Sequence, residues 1–189
     1  MDAARKALLK KIAEASVSGG GNNIRDGRGR LIIKRLALES GFKGQRFVAE
    51  FTVQNSQKMA VSSQKTGEKL DIEPNGPMTD VSWVQLFDEH PNAVGNVKGF
   101  ILALYGETAE PSIDEFMQVL DEVTGKNTAQ GMAIDFETYR KVTKKSGVEI
   151  VVPKWFTVQQ SDTDIAQAKA WLESLTLGGH NAEAPHANA

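Results

Sequence analysis

The sequence predicts an α+β fold that is dominated by antiparallel β-structure. Stretches rich in β-branched and aromatic residues occur early, at RFVAEFTV, and late, at AIDFETYRKV and EIVVPKWF, with helical periodicity between them. A strand ending also repeats, because FTVQNS at residues 51–56 returns as FTVQQS at residues 156–161. We interpret this repeat as the inner ends of two equivalent hairpins of one sheet, each bringing basic residues to a single groove.

The first part of the chain predicts an arm followed by strands. Residues 2–16 have the pattern of an amphipathic helix, and the triple glycine at residues 19–21 predicts a flexible joint. Residues 1–18 are therefore expected to form a helical arm, although a helix docked on the body would fit the same pattern. RLIIKRLAL and RFVAEFTV predict two strands, residues 57–77 a long polar loop, and VSWVQLF a third strand or the start of a helix.

Helical signals fill the centre and the end of the chain. Apolar residues at helical spacing predict a helix within HPNAVGNVKGFILALYG. A second helix is expected to begin at Pro111 and Ser112 and to end at Gly125. A hairpin with a KKSG turn follows, and then a last helix with Asp162 or Thr163 as its cap. Residues 177–189 are small and polar, which predicts a disordered tail.

This element order predicts an OB-like five-stranded barrel over residues 22–176. The predicted order is two strands, a third strand, inserted helices and two more strands. This order matches a barrel that carries helices between its third and fourth strands. An unrelated α+β fold with a meander sheet would give the same order.

Composition limits the chemistry. The sequence has no cysteine, which excludes disulfides, zinc–thiolate sites and thiol nucleophiles. Its three histidines lack metal-ligand spacing, no phosphate-binding loop or nucleophile elbow is present, and no apolar run approaches the length of a membrane span. We therefore expect no enzyme activity, no metal, no cofactor and no membrane insertion.

Charge is distributed unevenly along the chain, although its net value is only −2. Residues 24–46 hold seven basic side chains against two acidic ones, and residues 135–154 hold five against three. Residues 68–122 hold twelve acidic side chains against two basic ones. Such segregation favours an anionic polymer as the ligand of the basic strands. Accidental clustering on water-facing strands would look the same in sequence.

The two basic hairpins also carry aromatic residues, the combination that single-stranded nucleic acid requires. Lysine and arginine follow the phosphates, while aromatic rings receive unstacked bases. Since alternate strand residues share a face, Tyr139 and Lys141 lie on one side of their strand, and either Trp155 or Phe156 must belong to the core. The candidate binding residues are Lys34, Arg35, Lys43, Arg46, Phe47, Tyr139, Arg140, Lys141, Lys144, Lys145, Lys154 and Trp155. Any one of these aromatics could instead be a core residue.

Several blocks together resemble a group of phage-encoded proteins. These are RFVAEFTV, the PNGP turn, VSWVQLF, NVKGFILALYG and the VTKKSG…KWFTV hairpin, which span roughly residues 24–161. The resemblance implies an OB-fold single-stranded-DNA-binding protein that acts in DNA replication or recombination of a bacteriophage. The chain departs from bacterial single-strand binders because it does not end in an acidic tail with a hydrophobic tip.

The expected function is sequence-tolerant binding of single-stranded DNA in the cytoplasm of an infected bacterial host. Phage recombination or replication proteins are candidate partners, and the sequence leaves homo-oligomerisation and the choice between DNA and RNA open. The alternative is a virion or assembly protein, a viral protein whose hairpins and N-terminal arm make subunit contacts.

Overall fold

A computed structural model describes residues 22–41, 44–87, 92–106, 111–144 and 146–176. The predicted arm at residues 1–18 and the predicted tail at residues 177–189 lie outside these described residues. Within them the fold is α+β and rich in β-structure, as the sequence predicts.

A six-stranded sheet forms the body of the molecule. Its strands are β1 (Asn22–Asn23), β2 (Arg28–Gly41), β3 (Gly44–Gln57), β6 (Asp80–Leu86), β7 (Ala133–Val142) and β8 (Glu149–Phe156). They lie in the spatial order β1-β6-β3-β2-β7-β8. Neighbouring strands are antiparallel, except that the short β1 runs parallel to β6. VSWVQLF is therefore a strand, which resolves the alternative left open by its sequence.

The polar segment at residues 57–77 has structure of its own, which its composition does not predict. It contains a two-stranded ribbon of β4 (Val61–Ser62) and β5 (Lys69–Leu70). The Ser63 hydroxyl accepts hydrogen bonds from the backbone N–H groups of Lys65 and Thr66 and so shapes the turn between the two strands. The long loop is thus a folded appendage of the sheet.

Three helices complete the described fold: α1 (Ala93–Tyr105), α2 (Ile113–Gly125) and α3 (Asp162–Thr176). The predicted start of α2 is confirmed by a capping box, in which Ser112 accepts from the Glu115 N–H and the Glu115 carboxylate accepts from the Ser112 N–H. The sequence predicts Asp162 or Thr163 as the N-cap of α3, and this prediction is wrong. Ser161 accepts from the Asp164 N–H instead.

The two faces of the sheet bury different clusters. On the inner face, α1 and α2 pack over residues such as Leu36, Phe51 and Ile134. On the outer face, α3 places Trp171 and Leu172 over Ile32 and Ala133. Only part of the outer face is covered in this way, which leaves the outward side chains of the β7–β8 hairpin available to solvent.

The sheet curls but does not close. Trp83 of β6 and Trp155 of β8 lie with ring centroids 5.2 Å apart, and Phe100 of α1 contacts both rings at 5.4 and 5.1 Å. No backbone ladder joins β6 to β8 among the described residues, so the expected barrel is not confirmed. The aromatic cluster links the two strands instead, with α1 contributing the ring between them.

The repeated FTVQ does not mark equivalent hairpins, and this interpretation of the sequence is wrong. Phe51 lies in the middle of β3 on the inner face and is fully buried. Phe156 is the last residue of β8 and is exposed. After it the chain leaves the sheet, and the Gln160 side chain bonds both the N–H and the C=O of Ala133. The same short sequence thus lies in the middle of a strand in the first copy and at the end of a strand in the second.

None of the helices in the described part of the chain is long and apolar enough to cross a membrane.

Candidate nucleic-acid interface

The outward side chains of the β7–β8 hairpin form one continuous surface. The register pairs Glu137 with Lys154, Tyr139 with Val152, Lys141 with Ile150 and Asp135 with Phe156. Directly opposed residues of an antiparallel pair project from the same face of the sheet. We call the surface made by Glu137, Tyr139, Lys141, Ile150, Val152, Lys154 and Phe156 the outer hairpin face.

Two aromatic rings on this face are open to solvent. Tyr139 is 47% exposed and Phe156 is 38% exposed, although aromatic residues of this size usually belong to a core. The Lys154 Nζ atom lies 5.2 Å from the centroid of the Phe156 ring, in cation–π contact. This contact holds an ammonium group beside a ring that could receive a base.

Lysines surround these rings without acidic partners. Lys141 and Lys154 lie on the outer hairpin face, and Lys144 lies in the turn between the two strands. None of the three makes an ion pair with another described residue. The turn closes at Gly147, which has a φ of 64° that favours glycine. Three positive charges on this hairpin are therefore available to an anionic ligand.

Arg140 does not belong to this set, which corrects its assignment as a binding residue. Its guanidinium points to the inner side and pairs with Asp26 at 2.6 Å and with Glu149 at 3.2 Å. The side chain of Asp26 is only 3% exposed, so this ion pair is structural. Hydrogen bonding to Asp26 is the largest cause that raises the pKa of Arg140, and Glu149 adds to it.

Glu149 ties the β4–β5 ribbon to the base of the hairpin. Its carboxylate accepts hydrogen bonds from the Ser63 hydroxyl, at 3.1 Å, and from the backbone N–H of Gln64. Desolvation opposes ionisation of this carboxylate, but the bonds from Gln64, Ser63 and Arg140 outweigh it and lower the pKa of Glu149. The ribbon is thus anchored by an ionised carboxylate.

The first hairpin differs from the second because Lys34, Arg35 and Arg46, its described candidate residues, are all paired with carboxylates. Lys34 pairs with Asp80 at 2.5 Å, Arg35 with Glu39 at 3.0 Å, and Arg46 with the same Glu39 at 2.7 Å. Part of the excess of positive charge in residues 24–46 is therefore offset by carboxylates of the folded sheet. Lys34, Arg35 and Arg46 would have to exchange a carboxylate for a phosphate in order to bind nucleic acid.

Phe47 is a core residue, which corrects its assignment as a binding residue, and Trp155 is partly buried against the same core. Phe47 is 0% exposed, and its ring packs against Trp83 and Phe100. Trp155 projects to the inner face and contacts Phe51, Trp83 and Phe100. The Phe47 ring cannot meet a base without unfolding of the core, and the Trp155 ring lies on the side of the sheet opposite the outer hairpin face. Lys43 and Lys145 lie outside the described residues.

Phe156 is the site residue that the candidate set missed. Period-two alternation signals that Trp155 and Phe156 face opposite ways, but it does not identify the face that is buried. The positions of α1 and Trp83 determine which face of β8 is buried, because they pack against Trp155 and leave Phe156 exposed to solvent.

The turns of the two hairpins lie at opposite ends of β2. Residues Arg28 to Ile32 of β2 pair with β7, whose end runs past the start of β2, whereas the β2–β3 turn follows Gly41. The single groove between two equivalent hairpins, expected from the sequence, is therefore not built from these turns. The outer hairpin face stands as a surface by itself.

No protein-family model matches the chain, and no curated protein matches it either. Its function therefore has to follow from the geometry and chemistry of the outer hairpin face.

Proposed function

We propose that the protein binds single-stranded DNA in a sequence-tolerant way through the outer hairpin face. The observation that carries the proposal is that two exposed aromatic residues, Tyr139 and Phe156, share a hairpin with three lysines that make no ion pair with another described residue. These lysines are Lys141, Lys144 and Lys154. Single-strand binders combine these two elements, because every base has an aromatic face and every nucleotide a phosphate.

Each element makes a distinct contribution to binding. Stacking of a base on an exposed ring contributes about 1–3 kcal/mol and depends little on salt. A lysine that meets a phosphate releases condensed counterions, which gives a slope of about −0.7 in log K against log salt for each contact. Contacts by all three lysines would therefore give a slope of roughly −2.

The connectivity of the sheet supports the finer fold proposal, an OB-like barrel left open on one side. The five long strands run in the spatial order third, second, first, fourth and fifth, with two helices inserted between the third and fourth. In OB folds the loops between strands one and two and between strands four and five border the oligonucleotide. In this chain the second of these loops is the turn that carries Lys144.

The biological setting is proposed from the resemblance of the sequence to phage-encoded proteins. In that setting the protein would coat single-stranded DNA during phage replication or recombination, in the cytoplasm of the host, beside other phage recombination proteins. Coating requires no catalytic group.

Titration of a labelled oligo-dT with the full chain, followed by fluorescence anisotropy at two salt concentrations, tests the proposal. We expect binding that weakens steeply with salt and an affinity for duplex of the same length that is clearly lower. Equal affinity for duplex, or a flat salt response, would refute binding by the outer hairpin face.

A second candidate function, subunit contact within a viral assembly, is favoured by the apolar residues on the same face. Ile150 is 41% exposed and lies beside Lys141 on the edge strand β8. Sedimentation of the protein alone distinguishes the two functions, because an assembly contact predicts a concentration-dependent oligomer that Ile150→Lys disrupts.

A further inference from the structure

We infer that Glu137 makes the outer hairpin face prefer bases that carry an exocyclic amino group, and specifically cytosine over thymine. The inference rests on the proposed function, because it concerns the base that stacks on Tyr139. It adds a modest base preference to binding that is otherwise tolerant of sequence.

Glu137 lies on the outer hairpin face beside Tyr139. It lies two residues before Tyr139 on the same side of β7, and the register places it between Arg28 of β2 and Lys154 of β8. Its side chain is exposed and makes no hydrogen bond or ion pair with another described residue. An acceptor group is therefore presented to solvent beside the exposed tyrosine ring.

The other carboxylates that the described strands place on this side of the sheet are paired with basic residues. Each of them has a basic partner: Asp135 pairs with Arg30, Asp80 with Lys34, Glu39 with Arg46, and Glu50 with Arg35. Glu137 differs from them although Arg28 and Lys154 are its cross-strand neighbours. A negative charge without a basic partner weakens the attraction of this surface for phosphates, so we assign a different ligand group to the Glu137 carboxylate.

An amino group on a base is such a ligand. An ionised carboxylate only accepts hydrogen bonds, and the N4 amino group of cytosine donates them. Thymine places the acceptor O4 where cytosine has this amino group. Two residues along a strand are about 6.6 Å apart, so the edge of a base stacked on Tyr139 comes within reach of the Glu137 side chain.

The test compares oligo-dC with oligo-dT of equal length, at pH 8, by anisotropy with the wild-type chain and with Glu137→Gln. We expect the wild-type chain to bind oligo-dC about fivefold more tightly, at the low end of the discrimination that a good base contact gives. In Glu137→Gln, whose amide both donates and accepts, the two affinities should agree within about twofold. Asp121→Asn is the matched control, since it removes one exposed charge from α2 on the inner side of the sheet.

Each outcome has a distinct meaning. If the wild-type chain binds neither oligonucleotide, the proposed function fails. If it binds both equally, or if Glu137→Gln keeps the preference for oligo-dC, the function stands and the role of Glu137 is refuted. If Glu137→Gln and Asp121→Asn tighten binding of both oligonucleotides to the same extent, the effect is net charge alone and the inference is again overturned.

Discussion

Replacing Tyr139 with valine removes an aromatic surface while leaving a strand-forming residue in place. Tyr139 stands directly opposite Val152 in the β7–β8 pair, so valine preserves a β-branched cross-strand contact. Because the ring is 47% exposed, the core loses little when it is removed. Tyr139→Val therefore separates a binding role of the ring from a structural one.

The expected loss of binding follows from the stacking energy. One base–aromatic stack contributes about 1–3 kcal/mol, which corresponds to a Kd raised roughly 5- to 150-fold. The slope of log K against log salt should not change, since no phosphate contact is lost. The change from a tyrosine–valine to a valine–valine cross-strand pair costs at most about 1 kcal/mol of the free energy of unfolding, or roughly 2–4 °C in Tm for a chain of this size.

Anisotropy and thermal melting should be measured on the same samples, with Tyr105→Leu as the control. Tyr105 is the other tyrosine of the chain, is exposed to a similar extent at 41%, and ends α1 on the opposite side of the sheet. Its replacement should leave the Kd unchanged. A Kd for Tyr139→Val within twofold of the wild-type value, with the fold intact, would refute stacking on this ring, as would equal losses in both variants.

Three further predictions follow. Lys141→Gln combined with Lys144→Gln should lower the magnitude of the slope of log K against log salt by about 1.4. Lys34 is already paired with Asp80, so Lys34→Gln should change this slope by less than half of the value of about 0.7 that one phosphate contact contributes. Trp155→Ala should lower the free energy of unfolding by about 3–5 kcal/mol, measured by denaturant titration, because its ring contacts three other rings. The pKa of Glu149 is lower in the folded protein than its ordinary value of 4.5, so its ionised carboxylate stabilises the fold above pH 4.5, and this stability is lost as the pH falls through the folded pKa. The difference in free energy of unfolding between the wild type and Glu149→Gln should therefore shrink on acidification. A difference that stays constant with pH would contradict this prediction.

Local sequence signals were sufficient for the two ends of α2 and for the β7–β8 turn. Pro111 and Ser112 predict the start of α2 and Gly125 predicts its end, because the signals at helix ends involve only residues a few positions apart. The KKSG turn predicts the β7–β8 hairpin for the same reason. These features were readable because no distant part of the chain takes part in them.

The candidate site could be predicted only in part from the sequence, because ion pairs across the sheet determine which basic side chains have no acidic partner. Lys34 is neutralised by Asp80, 46 positions away, and Arg30 by Asp135, 105 positions away. A window along the sequence counts the basic residues but not these partners. The sequence therefore placed residues of both hairpins among the candidates, although only the second hairpin keeps lysines without an ion pair among the described residues.

The open edge of β8 explains why a ligand would use side chains rather than the backbone of this hairpin. The Thr138 N–H donates to the Gly27 carbonyl at 2.9 Å, on the β2 side of β7, so Thr138 and its opposite residue Pro153 form a non-hydrogen-bonded pair. The backbone nitrogen of Pro153 therefore faces the open edge, where it has no hydrogen to donate. Because proline interrupts the donors in the middle of this edge, an added strand would find a broken ladder, which disfavours assembly by strand addition. A partner that recognises exposed rings and ammonium groups, as a single-stranded polynucleotide does, meets no such obstacle on the outer hairpin face.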